Sequence, residues 1–271
     1  MTRSRFVSPM MVAILVVIGC GGGKPQVASA TTDDAARRDA KAPVQLAAAP
    51  SDAAPTASAG SAVVRGAVRL TGTPPKPEAV KMNADPVCQQ QHATSVSLEE
   101  VVVDEKGMLK NVFVYVKEGV KGTFPTPTTP VVLNQSGCWY LPHVFGIQTD
   151  QPLDIVNNDA TLHNINAKPT VNQPFNIAQP VKGMKMTKKF AKPEVAVAFK
   201  CNVHPWMHAY AGVVEYPFFD VSGADGSFAI KGLPAGTYVI EAWHEKYGTQ
   251  TQTVSVVDGE AKSVDFTFKA Q

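Results

Sequence analysis

Residues 194–216 read EVAVAFKCNVHPWMHAYAGVVEY: a β-rich run, a short Cys-to-Met loop and a second β-rich run. Val195, Val197 and Phe199 alternate with small or polar neighbours, which predicts a strand from Glu194 to Lys200 that delivers Cys201 to its end. Tyr210 to Tyr216 predicts the strand that leaves the loop. Between the two lie Cys201, His204 and Met207, offering a thiolate, an imidazole and a thioether. A second imidazole stands 38 residues upstream of Cys201, where Val156 to Asn164 read VNNDATLHN and carry His163. One thiolate, two imidazoles and one thioether are the donors of a blue-copper site, a His₂Cys plane with a weak axial Met. Each residue alone says little. Short Cys/His spacings also build zinc sites, and a lone Met more often fills a core or a loop. The joint set, with three donors on one strand-to-strand loop and the fourth at another strand end, points to one copper ion.

The Cys-x₂-His-x₂-Met loop has a Pro205–Trp206 pair before its Met and an Asn-rich run at the other His. Over roughly residues 131–216 it resembles the cupredoxin family. That resemblance implies a Greek-key β-sandwich holding one type 1 copper through His163, Cys201, His204 and Met207. It also implies a non-enzymatic role, passing one electron to a redox partner protein. By the same resemblance Asn164 ties the two ligand loops together. His204 would reach an apolar surface supplied by Pro205 and Trp206, where the electron leaves. His208 departs from the family pattern; side chains of adjacent residues on an extended chain point apart, so it is expected exposed at the rim. Two other functions stay open: copper binding for delivery, and a structural sandwich with no metal. A buried thiolate between fixed imidazoles favours redox use, because delivery favours exposed, labile ligands.

The first residues form no part of the fold on this reading. Arg3 and Arg5 precede an apolar run from Met10 to Ile18, too short to span a bilayer, which reads as a secretory signal over residues 1–19. The run ends VIGC at Cys20, which resembles a bacterial lipobox. The resemblance implies cleavage before Cys20, its lipidation, and an exported, membrane-anchored protein facing the periplasm. Gly21 in place of Asp favours the outer membrane. Residues 24–61 are rich in Ala, Pro, Ser and Thr, cannot bury enough surface to offset their ordering entropy, and read as a tether. Such a tether spans roughly 30–40 Å. Subtracting Arg3 and Arg5 from 25 basic side chains leaves 23, matching the 23 acidic ones. A neutral mature chain argues against nucleic acid as a partner.

With Cys20 assigned to lipid and Cys201 to copper, Cys88 and Cys138 remain of the four cysteines. In an oxidising compartment they suggest a disulfide, whose loop of about 50 residues would be worth roughly 4 kcal/mol in the chain-entropy model. The rival is a second four-donor metal site from Cys88-x₃-His92 and Cys138-x₄-His143, a spacing that matches no familiar zinc pattern.

From Val63 onward the chain reads as all-β. Residues 64–70 and 111–116 alternate, and Gly/Pro turns punctuate the sequence at Pro74-Pro75, Asp225-Gly226 and Gly232 to Gly236. Val221 to Phe268, with Gly223 to Phe228, Gly232 to Tyr238 and Ala242-Trp243-His244, resembles the carboxypeptidase regulatory-like (transthyretin-like) sandwich module. That module carries no catalytic group, and His244 is expected to pack rather than ligate. The expected domains are therefore 1–19 signal, 20–61 anchor and linker, 62–216 copper domain and 217–271 small sandwich. Strands within 62–120 could instead complete the last unit, which is short for a sandwich on its own; the copper domain would then be an insertion.

Overall fold

The computed structural model describes residues 59–270. The expected signal segment, Cys20 and nearly all of the linker lie outside these residues. No helix among them is long and apolar enough to cross a membrane.

The described residues are almost wholly β, with one five-residue helix among them. In order come β1 (Ala62–Thr71), α1 (Pro86–Gln90), β2 (Phe113–Glu118), β3 (Val131–Ser136), β4 (Trp139–Leu141), β5 (Val144–Gln148), β6 (Leu153–Asn157), β7 (His163–Lys168) and β8 (Phe175–Gln179). There follow β9 (Lys185–Lys188), β10 (Glu194–Lys200), β11 (His208–Val214), β12 (Phe219–Val221), β13 (Ser227–Leu233), β14 (Gly236–His244), β15 (Gly248–Val256), β16 (Ala261–Ser263) and β17 (Phe266–Lys269).

These strands build two sandwiches. In the first, β1 pairs with β13, β16 and β17, and the facing sheet runs β12-β2-β14-β15. Alternating residues of both sheets, among them Val64, Val68, Val114, Phe228, Ile240 and Phe266, close its core. In the second, a five-stranded sheet β5-β11-β10-β7-β8 faces β4-β3-β6-β9, over a core that includes Leu133, Tyr140, Ile155, Ile165, Val197 and Phe199. The expected boundary at residue 62 is therefore displaced. Strands β1 and β2 pair with β13 and β14, not with the second sandwich. The second sandwich, residues 131–214, sits between the second and third parts of the first. The reason is one of burial: the C-terminal strands alone lack the partners needed to cover both faces of their core.

The two sandwiches meet over Phe113, Tyr115, Val144 and Val214. Phe113 lies against the backbone of Gly146 on β5 and Gly212 on β11. A Cβ at Gly212 would stand 2.1 Å from the Phe113 ring and one at Gly146 2.2 Å from the Phe219 ring, so glycine at both positions lets β5 and β11 approach. One expected alternation also breaks here. Ala196 takes φ +69° at a register shift in β10, a bulge that turns Val195 away from Val197 and Phe199 and onto the junction.

Glu194 opens β10 and closes the turn after β7. Its carboxylate accepts from the backbone N–H groups of Thr170, Val171 (3.1 Å) and Asn172 (3.1 Å), and from the side chains of Thr170 (2.9 Å) and Asn172 (3.1 Å). Burial pushes its pKa up, but these donors outweigh it and bring the pKa down to about 2 from an ordinary 4.5. A depressed carboxylate stabilises the fold fully above its unfolded pKa and ceases to do so as pH falls toward its folded one. Glu194→Gln is therefore expected to cost about 1–2 kcal/mol at pH 7, allowing for partial exposure. The gap to the parent should shrink between pH 4.5 and 2. Urea unfolding of both proteins across that range measures it; a gap independent of pH would mean the charge contributes nothing.

Candidate metal centre

The site is built at one end of the second sandwich, where β7 begins and β10 ends. His163 is the first residue of β7 and Cys201 follows the last residue of β10. The turn that carries the other donors is held by its own backbone: Cys201 N–H donates to the Met207 carbonyl (3.1 Å) and Met207 N–H to the His204 carbonyl (2.9 Å). His204 N–H points at the Cys201 sulfur, 3.4 Å away. The structure brings His163, Cys201 and His204 together: one donor atom from each lies within 4.8 Å of the others, and all three side chains are buried. The two Nδ1 atoms face each other at 3.0 Å, and His204 Nδ1 is 3.9 Å from the Cys201 sulfur. Met207 is fully buried in the same core, at the end of the loop.

Both imidazoles are fixed from behind by carboxylates. His163 Nε2 lies 2.8 Å from Asp159 Oδ2, and His204 Nε2 lies 3.0 Å from Asp85 Oδ2. A carboxylate can only accept, so each claims an Nε2–H and leaves the opposite Nδ1 lone pair turned toward the thiolate. Asp159 also takes the N–H groups of Gly137 (2.9 Å) and Cys138 (2.8 Å). Those two residues form a two-residue hairpin between β3 and β4 with φ of +65° and +56°, the positive φ pair that a tight hairpin requires. Asp159 is held below the ordinary carboxylate range: burial opposes its charge, but His163 and the two N–H groups outweigh it.

The thiol is tuned by the same surroundings. Burial disfavours the Cys201 thiolate, yet the His163 and His204 rings, when a proton sits on the nitrogen facing the sulfur, and the backbone N–H groups of His204 and Asn164 prevail and bring its pKa from 9.0 down to about 5. A buried sulfur facing two imidazole nitrogens suits a soft, one-electron-active cation such as copper, and Met207 adds a thioether to the set. On donor chemistry the residues fit the expected ion. Asn164 sits beside His163, and its Oδ1 accepts from Asn202 N–H at 2.6 Å, linking the first ligand strand to the ligand loop.

Cys88 and Cys138 are joined as a disulfide. The rival four-donor arrangement is not formed, since His92 Nε2 bonds the Gly137 carbonyl (2.7 Å) and His143 bonds Glu245. Two expectations need correction. His204 does not reach the surface: it is 2% exposed. The segment before and through α1 lies over it, with Asp85 on Nε2 and the Cys88 sulfur 3.5 Å from the same atom. Of the expected exit surface only Pro205 is exposed, while Trp206 is half-buried and donates Nε1–H to the Cys138 carbonyl at 3.0 Å. Nor is His208 a rim residue. Its side chain is 17% exposed and faces Glu245. His244 packs as expected, buried and stacked on Tyr247.

Sequence reasoning missed both carboxylates. Asp159 was in view four residues before His163. Asp85 carries only the signature of a helix cap before Pro86, and it does cap α1, accepting from Val87 N–H at 2.8 Å.

Comparisons with known proteins add the following. Residues 218–269 match the carboxypeptidase regulatory-like domain model. Compared with curated proteins, the chain has no match. Among solved structures, a methionine-to-alanine mutant of amicyanin in its Cu(I) form is 16% identical over 31% of this chain and 81% of its own, with a TM-score of 0.28. The copper-containing nitrite reductase (NirK) from Thermus scotoductus SA-01 is 24% identical over 38% of this chain and 25% of its own, with a TM-score of 0.29. A reduced tryptophan-to-tyrosine mutant of amicyanin is 17% identical over 31% of this chain and 81% of its own, with a TM-score of 0.28. These structural neighbours have the cupredoxin fold.

Asp159→Asn keeps an acceptor for the hairpin but removes the charge behind His163. Copper affinity is expected to fall about 10–100-fold, measured by competition with a chelator at pH 7. An unchanged affinity would leave Asp159 as a brace for the hairpin only.

Proposed function

We propose that this chain is an exported copper protein that carries one electron through a mononuclear type 1 centre held by His163, Cys201, His204 and Met207. The observation that carries the reading is the pair of carboxylate-backed imidazoles, whose Nδ1 atoms converge with the buried Cys201 sulfur. Bound copper would supply a Cu(II)/Cu(I) couple at this position. The chain supplies the rest. Asp159 and Asp85 hold the rings in place, and the loop bonds fix Cys201 relative to Met207. The core around Phe199, Cys201 and Met207 excludes water. Rigid, buried ligands suit a centre that changes charge without rearranging. They suit metal hand-over poorly, and delivery is the weaker reading.

Because His204 is covered, electron exchange with a redox partner would run through what the loop does expose, namely Asn202, Val203 and Pro205. The proposal extends to location: Cys20 would be lipidated and hold the protein on the periplasmic side of a bacterial membrane, the outer one by its Gly21. No nucleic acid and no catalysed reaction are part of it.

Copper-loaded protein is expected to show an intense visible thiolate-to-copper band that disappears in Cys201→Ser. Met207→Leu, a near-isosteric swap, should keep the copper and the colour and raise the reduction potential, since a lost axial donor disfavours Cu(II). A colourless wild-type complex would replace electron transfer by delivery. Loss of copper from Met207→Leu would mean that Met207 anchors the ion.

A further inference from the structure

Away from the candidate copper ligands, His143, His208 and Glu245 each place one donor atom within 4.8 Å of the other two. They come from three separate places: His143 from the turn into β5, His208 from the first position of β11, and Glu245 from the turn between β14 and β15. Glu245 therefore belongs to the first sandwich and the two histidines to the second. The side chains are largely out of solvent, at 3% exposure for His143, 6% for Glu245 and 17% for His208.

The hydrogen bonding leaves this cluster short of one positive centre. His208 Nδ1 is 3.0 Å from the Trp206 carbonyl, an acceptor, so Nδ1 carries the proton and Nε2 presents a lone pair. That lone pair faces Glu245 Oε2 across 3.7 Å, too far for a hydrogen bond. The other carboxylate oxygen, Oε1, is in contact with His143 Nε2, a nitrogen that becomes a ligand when an ion replaces the proton between the two. Two acceptors facing each other in a half-buried site repel, and although the Tyr210 hydroxyl also bonds this carboxylate, a cation between them would satisfy both. Two ligands at about 2.1 Å on a tetrahedral ion stand about 3.4 Å apart, close to the spacing seen.

We propose that His143, His208 and Glu245 form a second metal site for a divalent first-row transition ion of the zinc class, distinct from the copper centre. Two imidazoles and one carboxylate are borderline donors without sulfur, so the site favours Zn²⁺-like ions over Cu(I). The Trp206 carbonyl on His208 Nδ1 is the outer partner that metal-binding histidines ordinarily have. Three protein donors leave a fourth position to water or a small anion. Entry is provided by a groove lined by Ala79, Val80, Leu98, Pro205, Trp206 and His208 itself. The ion would pin the β14–β15 turn of one sandwich to β11 of the other, one residue beyond Met207.

The test is Co²⁺ titration of the full chain preloaded with one equivalent of copper, with both metals counted in the same sample. The same titration on Cys201→Ser, which lacks the copper thiolate, makes the result independent of the copper reading. In both proteins one equivalent of Co²⁺ is expected, with ligand-field bands and no thiolate charge transfer. Glu245→Gln, which keeps shape and a hydrogen-bonding group, and His208→Asn should each weaken Co²⁺ binding at least tenfold. Zn²⁺ should raise the melting temperature of the parent but not of Glu245→Gln. No cobalt beyond the copper site, or undiminished binding by a folded Glu245→Gln protein, overturns the proposal.

Discussion

The carboxylate of Asp159 is the contact on which the ligand end of the second sandwich depends. It is 2% exposed and accepts from three donors: two hairpin N–H groups and the His163 ring. A buried charge is tolerable only when its lone pairs are satisfied, so the hairpin, the charge and the ring orientation require one another. The same hairpin reaches further. Its Gly137 carbonyl takes His92, its Cys138 carbonyl takes Trp206, and its Cys138 sulfur is bonded to Cys88. Three segments distant in sequence, around residues 88–92, 159–163 and 206, are thereby held to one turn of two residues.

This arrangement decides what His204 can do. Its Nε2 cannot stand at the surface and also donate to Asp85 beneath α1. By covering that ring, the chain trades an exposed imidazole edge for a second carboxylate-backed imidazole and a drier site. The thiolate is the group most sensitive to the change, because burial opposes its charge. What opposes that cost in the chain itself is the His204 backbone N–H pointing at the sulfur, and in a low-dielectric site such a bond is stronger than in solution.

The candidate set could be named from sequence because Cys201, His204 and Met207 on one loop and His163 at another strand end have few other uses in combination, and the structure does bring His163, Cys201 and His204 together. The β class was legible from alternation and turn residues, and the Cys88–Cys138 pairing from counting. What stayed hidden was set by tertiary contacts. Asp85 caps a helix locally and meets His204 only because the 79–98 excursion folds back. The bulge at Ala196, which sends Val195 to the junction, leaves no mark in a Val-Ala-Val run. The sheet membership of β1 and β2 could be stated only as one of two alternatives, because it depends on strands more than a hundred residues away, which local periodicity cannot encode.

Strand β11 is where the two sandwiches and both candidate sites come together, and its period of two explains how. Ala209, Ala211 and Val213 turn into the core that holds Cys201 and Met207, while Tyr210 and Val214 turn onto the junction. His208 belongs to the second set, and this is why it sits near Glu245 although Met207, one residue before it, is in the other core. Gly212, on the same outward face, leaves the space that the Phe113 ring fills. A packed ring there fixes how far β11 can move relative to β2, because a close-packed interior has no slack for sliding. The residue types along β11 therefore serve two constraints at once: every second position keeps Cys201 and Met207 buried, and the positions between keep the inserted sandwich seated on the one that hosts it.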